Sequence, residues 1–469
     1  VEVSWLVQKD SYKEQASEIE WQILEKLTDE FRSYETPLVF INATAQGGGV
    51  ALMRHALLRF LNEIDVPSHW HVMRPNSDVF EITKRKFHNV LQAVARDGTV
   101  LTERDKDVYN AWIEENAEHL RDVFKHSNMI VIDDPQPCGL IPYIRDINPQ
   151  AKIIYRSHIQ LDRDLIENEG SPQHTTWSFL WEYIKQADIF VSHPVEQFVP
   201  RQVASNTVTM PATTDPFDGL NKPLSDTQMA YYRKLFNKIL LEHIQGPLDD
   251  TRPYFVQIAR FDPSKGIPDV IESYRLLREK LDSSDPIPQL VLAGHGSIDD
   301  PDGVPVYNMT LRLLQEERYR DIAQDVKVVR LHHNDQILNA LIRASHGVLQ
   351  LSHKEGFEVK VSEALHKGKP VVAYRAGGIP LQIEDGKSGF LVDIGDTSAV
   401  ANHLYTLLKD ENIYQEMSEY ARRCVNPNHF TTYNAAKWLY LANTLLAGDK
   451  ELGQGAAVQQ LAGLPAAVC

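Results

Sequence analysis

A chain of 469 residues with 43% hydrophobic and 24% charged residues is long enough for two or more domains, each with its own core, and needs no structural metal or disulfide to stand. It has no apolar run of about eighteen residues that could cross a bilayer, so no membrane role is expected. The net charge of −16 argues against a general nucleic-acid binder, because phosphate backbones are held by a surplus of Lys and Arg.

In chain order the texture is short β-rich apolar runs alternating with helical patterns, which predicts parallel sheets. In the first half, PLVFIN (37–42), NMIVIDD (128–134), AKIIYRSH (151–158) and ADIFVSH (187–193) are expected as buried strands ending in polar residues. In the second half, YFVQIARF (254–261), QLVLAGHG (289–296), VKVVRL (326–331), GVLQLS (347–352) and PVVAYRAGG (370–378) repeat that texture. Apolar residues three and four apart predict crossover helices at 269–281 and 398–409. The Pro, Asp, Gly and Asn cluster at 210–225 predicts a domain crossing. The expected division is 1–240 as a first Rossmann-like domain, 241–425 as a second, and 426–469 as a helix returning toward the first domain, followed by a tail. Cys138, Cys424 and Cys469 are widely spaced without a Cys-x-x-Cys, so neither a disulfide framework nor a zinc ribbon is expected, and a reducing cytoplasmic setting fits. The chain starts at Val1 with no signal-peptide pattern, which leaves room for processing or for residues upstream.

Open parallel sheets bind ligands beyond the carboxyl ends of their strands, so the residues just after each strand are the candidates. After the first strand stand Gly47, Gly48 and Gly49, which would offer bare backbone N–H groups and a helix N-terminus to an anion; a tight strand-to-helix turn is the plain alternative. IDDPQP places Asp133, Asp134 and Gln136 at one strand end, and YRSH places His158 at another. IARFDPSKG offers Arg260 and, five residues on, Lys265, a planar fork and a mobile ammonium suited to one phosphate. LAGHGS places Gly294 after a further strand, where a ligand or a second backbone could approach closely. The adjacent histidines of HHND come with no metal-ligand pattern, so no metal site is expected.

The densest stretch is EGFEVKVSEALHKGKP (355–370), read as strand exit, turn and a helix from about 361 to 367 closed by Gly368. It carries Glu355, Phe357, Glu358, Lys360 and Glu363. Glu363 is expected in the helix's first turn, where a carboxylate can simply face the helix dipole. Glu355 is expected at the pocket edge beside Gly356, whose lack of a side chain implies close backbone approach.

Taken together, these residues resemble the retaining glycosyltransferases of family four. The pair Glu355 and Glu363, the pair Arg260 and Lys265, and the first glycine loop carry the likeness, over roughly residues 35–445. The resemblance implies an α/β GT-B fold, with two Rossmann-like domains facing each other across a cleft. It implies that Glu355 grips the donor sugar, while Arg260 and Lys265 neutralise the phosphate of the leaving group. RSHIQ, DDPQP, SHPVEQFVP and EGFEVKVSEAL are similar to the branch of trehalose synthases and fungal trehalose phosphorylases. Glu358 and Lys360 depart from the general family pattern, and Lys360 is expected as a third cation near phosphate.

What this implies is a hexosyltransferase acting as a retaining disaccharide phosphorylase on trehalose, glucose, glucose 1-phosphate and inorganic phosphate. No cofactor is expected, and a homodimer is allowed for. In this reading His158 orients sugar hydroxyls, Asp134 and Gln136 face the acceptor glucose, and Gly294 lines the site. Two other readings stay open: a trehalose synthase using a nucleotide-glucose donor, with Glu363 on the ribose, and a non-catalytic sugar-binding regulator.

Overall fold

The computed structural model describes residues 8–45, 49–295, 303–332, 334–448 and 452–466. Two compact units emerge, one of the chain up to Thr214 together with Pro427–Ala466, the other of Asp215–Asn426.

In the first unit the strands β1 (Leu38–Asn42), β2 (Ser68–Val72), β3 (Met129–Asp133), β4 (Lys152–Arg156), β5 (Ile189–Ser192) and β6 (Thr207–Thr209) join with a late strand, Ala456–Ala457. The sheet order runs from Ala456–Ala457 through β6, β5, β4, β3 and β1 to β2, and every pairing is parallel. Every residue of β1, β3 and β5 is buried, as expected of parallel strands covered on both faces. Their apolar runs are why sequence finds them. β2 reads SHWHV and sits at an edge, so its alternation of buried and exposed positions gives no such run. Its Trp70 instead donates Nε1–H to Asn42 Oδ1 at 2.8 Å.

The helix Thr431–Leu446 packs on the helices Glu18–Arg32 and Gly49–Glu63 of the same unit. Asn443 donates to the Leu27 carbonyl at 3.0 Å, and the Arg54 guanidinium lies 4.2 Å from the Phe40 ring centre and 5.1 Å from that of Trp438. Thr214, the last residue before the chain leaves this unit, forms a parallel bridge with Phe430, just after it returns.

The second unit begins at Asp215, not at 241: the helix Asp226–Glu242 packs on the helix Asp335–Ala344. Its strands are β7 (Tyr254–Ile258), β8 (Gln289–His295), β9 (Val326–Leu331), β10 (Gly347–Gln350), β11 (Val371–Tyr374) and β12 (Gly389–Val392). They form one parallel sheet in the order β12-β11-β10-β7-β8-β9. The crossover helices run Ile267–Lys280 and Thr397–Lys409 and pack against each other. Cys138 is buried and free. No helix among the described residues is long and apolar enough to cross a membrane.

Candidate functional site

Two polar clusters form at the carboxyl ends of the strands, one in each unit. In the first unit β3 ends at Asp133, β4 at Arg156 and β5 at Ser192, so each strand delivers a polar group to the same end of the sheet. Arg54, from the helix Gly49–Glu63, donates Nε–H to Asp133 Oδ2 at 2.7 Å and Nη2–H to Oδ1 at 2.6 Å, a bidentate pair that is fully buried. His158 Nε2 meets the same Oδ1 at 2.8 Å. The next residue, Asp134, has φ of 67°, a left-handed conformation that an L-residue adopts only when its surroundings hold it there. That turn points its carboxylate at the His158 backbone N–H, which donates to Oδ1 at 2.7 Å.

The backbone of His158 is held on its other side as well. Arg156 donates to the carbonyls of Ser192 at 2.8 Å and Met210 at 2.9 Å and meets His193 Nδ1 at 3.2 Å, while His193 Nε2 lies 3.0 Å from the His158 carbonyl. Burial raises the Asp133 carboxyl, but Arg54 and His158 more than offset it and hold it well below the carboxylate range. Asp134 is pushed up to about 7, chiefly by burial. Burial pulls His158 down to about 4 and His193 well below the usual imidazole value. His158 Nδ1 and Gln136 Oε1 are buried and have no hydrogen-bond partner.

In the second unit β7 leads to Arg260 and to a single 3₁₀ turn, Pro263–Lys265, capped by Asp262 Oδ1 on Ser264 N–H at 2.9 Å. Gly266 follows at φ 58°, and a Cβ there would lie 1.9 Å from the Leu351 carbonyl oxygen, so only glycine fits between this turn and the exit of β10. Lys265 Nζ donates to Glu355 Oε2 and, at 2.9 Å, to Glu358 Oε2. Burial lowers the Lys265 ammonium's pKa, but Glu355 and Glu358 overcome that and raise it. Glu355 is pushed up to about 7, first by burial and then by the like charge of Glu358, with Lys265 opposing. Arg260 is half-buried, and its charge bears on Lys265 in the lowering sense.

The helix after Glu355 runs Val359–His366, two residues earlier than expected, because Glu358 is its N-cap: Oε1 accepts Lys360 N–H at 3.2 Å. Glu363 therefore lies beyond the first turn and is not a dipole residue. Its side chain is 1% exposed, and both carboxylate oxygens receive Lys360 Nζ at 2.9 Å. Lys360, expected beside phosphate, is engaged with Glu363. Phe357 is buried. The close backbone approach expected at Gly356 is made by the chain itself, since Gly378 N–H donates to the Gly356 carbonyl at 3.1 Å.

Gly49 opens the helix Gly49–Glu63, while Gly47 and Gly48 lie outside the described residues. Gly294 is within β8, where a Cβ would lie 1.9 Å from the Ala259 carbonyl oxygen; strand packing accounts for that glycine.

Several site residues escaped sequence reasoning. Arg54 reads as a stray charge in an apolar helix, whereas Asp133 is expected in the same layer as Asp134 and Gln136 and is the one that meets both the imidazole and Arg54. Gln257, in the middle of β7, donates to the Lys265 carbonyl at 2.9 Å and accepts Leu351 N–H at 3.0 Å, which ties Lys265 to the exit of β10. Gln350 donates to Glu358 Oε2 at 3.3 Å. A polar amide inside an all-buried strand was the available signal for both glutamines. Among the described residues no group of three His, Cys, Asp or Glu is arranged to hold a metal ion.

Residues 40–200 match the family described as "Trehalose synthase, N-terminal domain", and residues 240–424 match "Glycosyl transferases group 1". The trehalose phosphorylase of Pleurotus pulmonarius is 44% identical over 467 residues, covering 96% of this chain and 63% of its own length. The chain thus spans less than two thirds of that relative. The trehalose synthase of Thermococcus litoralis is 34% identical over 408 residues, covering 87% of this chain and 90% of its own length. Among solved structures, a trehalose-6-phosphate synthase (OtsA) superposes with a TM-score of 0.68 at 15% identity, covering 88% of this chain and 99% of that one, which establishes the GT-B fold. The chain belongs to the family-four retaining glycosyltransferases, in the branch of the trehalose synthases and trehalose phosphorylases.

Proposed function

We propose that the protein is a retaining trehalose phosphorylase, a hexosyltransferase that converts α,α-trehalose and phosphate reversibly to α-glucose 1-phosphate and glucose. The observation that carries this reading is the likeness to fungal trehalose phosphorylases, at 44% to 46% identity over more than nine tenths of the chain. The trehalose synthases are more distant, at 30% to 34%.

The chemistry of the two clusters supports it. A phosphate oxygen attacks the anomeric carbon on the face from which glucose leaves; the new C–O bond forms as the glycosidic C–O bond breaks, and the phosphate proton passes to the departing oxygen. No carboxylate nucleophile is required for this front-face displacement, and its oxocarbenium-like centre needs charge stabilisation above all. Arg260 and Lys265 supply positive charge for phosphate, Glu355 takes donor-sugar hydroxyls, and His158 and Gln136 offer buried acceptors to sugar hydroxyls. Phosphate, trehalose, glucose and glucose 1-phosphate are then the reaction partners, with phosphate as co-substrate and no organic cofactor.

The rival reading, a nucleotide-glucose-dependent trehalose synthase, draws on the Thermococcus litoralis relative. The engagement of both Glu363 oxygens by Lys360 weighs against it, because a carboxylate so held is a poor acceptor for ribose hydroxyls. Incubation of the protein with trehalose and inorganic phosphate, without nucleotide, decides between them. Release of α-glucose 1-phosphate is expected; trehalose formation from nucleotide-glucose alone, with no phosphorolysis, would overturn the proposal.

A further inference from the structure

The Arg54, Asp133 and His158 array has a consequence for the position of one proton. Both Asp133 oxygens receive Arg54 N–H groups, at 2.7 and 2.6 Å, within a pair that is 0 to 1% exposed. That environment keeps the carboxylate ionised, and an ionised carboxylate only accepts. The hydrogen in the 2.8 Å contact between Asp133 Oδ1 and His158 Nε2 therefore sits on Nε2. A neutral imidazole carries one N–H, so His158 Nδ1 is left with a bare lone pair. Burial, which pulls His158 down to about 4, keeps the ring neutral at pH 7.

Little freedom remains to rearrange this. Asp134 Oδ1 accepts the His158 backbone N–H at 2.7 Å, and His193 Nε2 meets its carbonyl at 3.0 Å. Since Arg156 donates to His193 Nδ1, the proton of His193 is on Nε2 and that ring is the donor to the His158 carbonyl. Backbone N–H, backbone C=O and Nε2 of His158 are all engaged, while Nδ1 has no partner and the side chain is 7% exposed. A buried acceptor without a donor is costly to a folded protein and calls for an explanation.

We propose that Asp133 and Arg54 are positioning residues that lock His158 in its Nε2–H tautomer, so that Nδ1 accepts a hydrogen bond from a neutral hydroxyl of the bound sugar. The identity of that ligand rests on the sugar-transfer reading above; the position of the proton does not. A bare lone pair repels an unprotonated anionic oxygen and accepts from a hydroxyl. Asp133 acts through His158 and needs no contact with the sugar itself.

The test is a ¹H–¹⁵N spectrum of the histidine side chains of the whole protein at pH 7, with the His158 signal assigned by its loss in His158→Asn. The wild type should show a neutral ring with the proton on Nε2, and added trehalose should shift the unprotonated nitrogen upfield. In Asp133→Asn an Nδ1–H population should appear, and kcat/KM for trehalose phosphorolysis should fall at least tenfold, as when an orienting carboxylate is removed from other histidines. A wild-type ring protonated on Nδ1, or an Asp133→Asn spectrum like the wild type, overturns the proposal. Should Asp133→Asn fail to fold, the wild-type spectrum still decides. The expected tautomer without any phosphorolysis would sink the proposed reaction and uphold the proton assignment; the wrong tautomer with normal phosphorolysis would do the reverse.

Discussion

Lys360 Nζ holds both carboxylate oxygens of Glu363 at 2.9 Å, in a pair whose side chains are only 12% and 1% exposed. The two charges face each other inside the unit, so Lys360→Met removes the cation that holds both oxygens of a buried carboxylate. The loss should be about 3–5 kcal/mol of stability, whereas Lys360→Met combined with Glu363→Leu should recover more than half of it. Denaturant midpoints of the wild type, the two singles and the double decide this. Strictly additive losses would mean that the pair is not a coupled unit.

Lys265 has a different task, because it stands between two carboxylates and after a strand end. Lys265→Met should lower kcat/KM for phosphate-dependent release of glucose 1-phosphate by roughly 10²–10³, the usual cost of removing one preorganised charge stabiliser. The variant is compared with wild type after a circular-dichroism melt confirms folding. A loss under threefold in a folded variant would remove Lys265 from the proposed charge set.

The Glu355 carboxyl, pushed up from 4.5 to about 7 in the folded protein, gives stability a pH slope. Because the folded state binds this proton more tightly than the unfolded chain, the contribution is complete below pH 4.5 and is lost as pH rises to about 7. Glu355→Gln should remove up to about 1.4 kcal/mol per pH unit of falling stability across that window. Unfolding free energies measured at half-unit intervals test it, and parallel curves for variant and wild type would contradict it.

Gly266 combines φ of 58° with a Cβ position 1.9 Å from the Leu351 carbonyl oxygen. Gly266→Ala must therefore either strain the backbone or push the Lys265 turn away from the exit of β10. A cost of at least about 2 kcal/mol is expected, together with a fall in activity, since Lys265 and Glu355 lie on the two segments being separated. Thermal unfolding and the phosphorolysis assay, run on the same sample, should move together. Unchanged activity at lowered stability would show that the two segments tolerate the displacement.

Much of this protein is legible without coordinates. Unbroken apolar runs such as LVFIN and MIVID mark strands buried on both faces, and helices with apolar residues three and four apart mark the crossovers, so the α/β class follows from pattern alone. Position just after strand ends also selects His158, Lys265 and Glu355, because the fold repeatedly delivers ligand-facing residues there. What pattern cannot show is which polar group meets which. Asp133 and Asp134 are identical neighbours in sequence, and only the reversal of the backbone at Asp134, with φ of 67°, sends one to the imidazole of His158 and the other to its backbone. Lys360 reads as a cation for a ligand until burial gives it to Glu363, three residues along the same helix. Sequence determined the strands, the crossovers and the set of strand-end residues, because local periodicity and burial fix those. Tertiary structure decided the pairings, because these depend on distances between groups as far apart in the chain as Arg54 and Asp133, or Lys265 and Glu355.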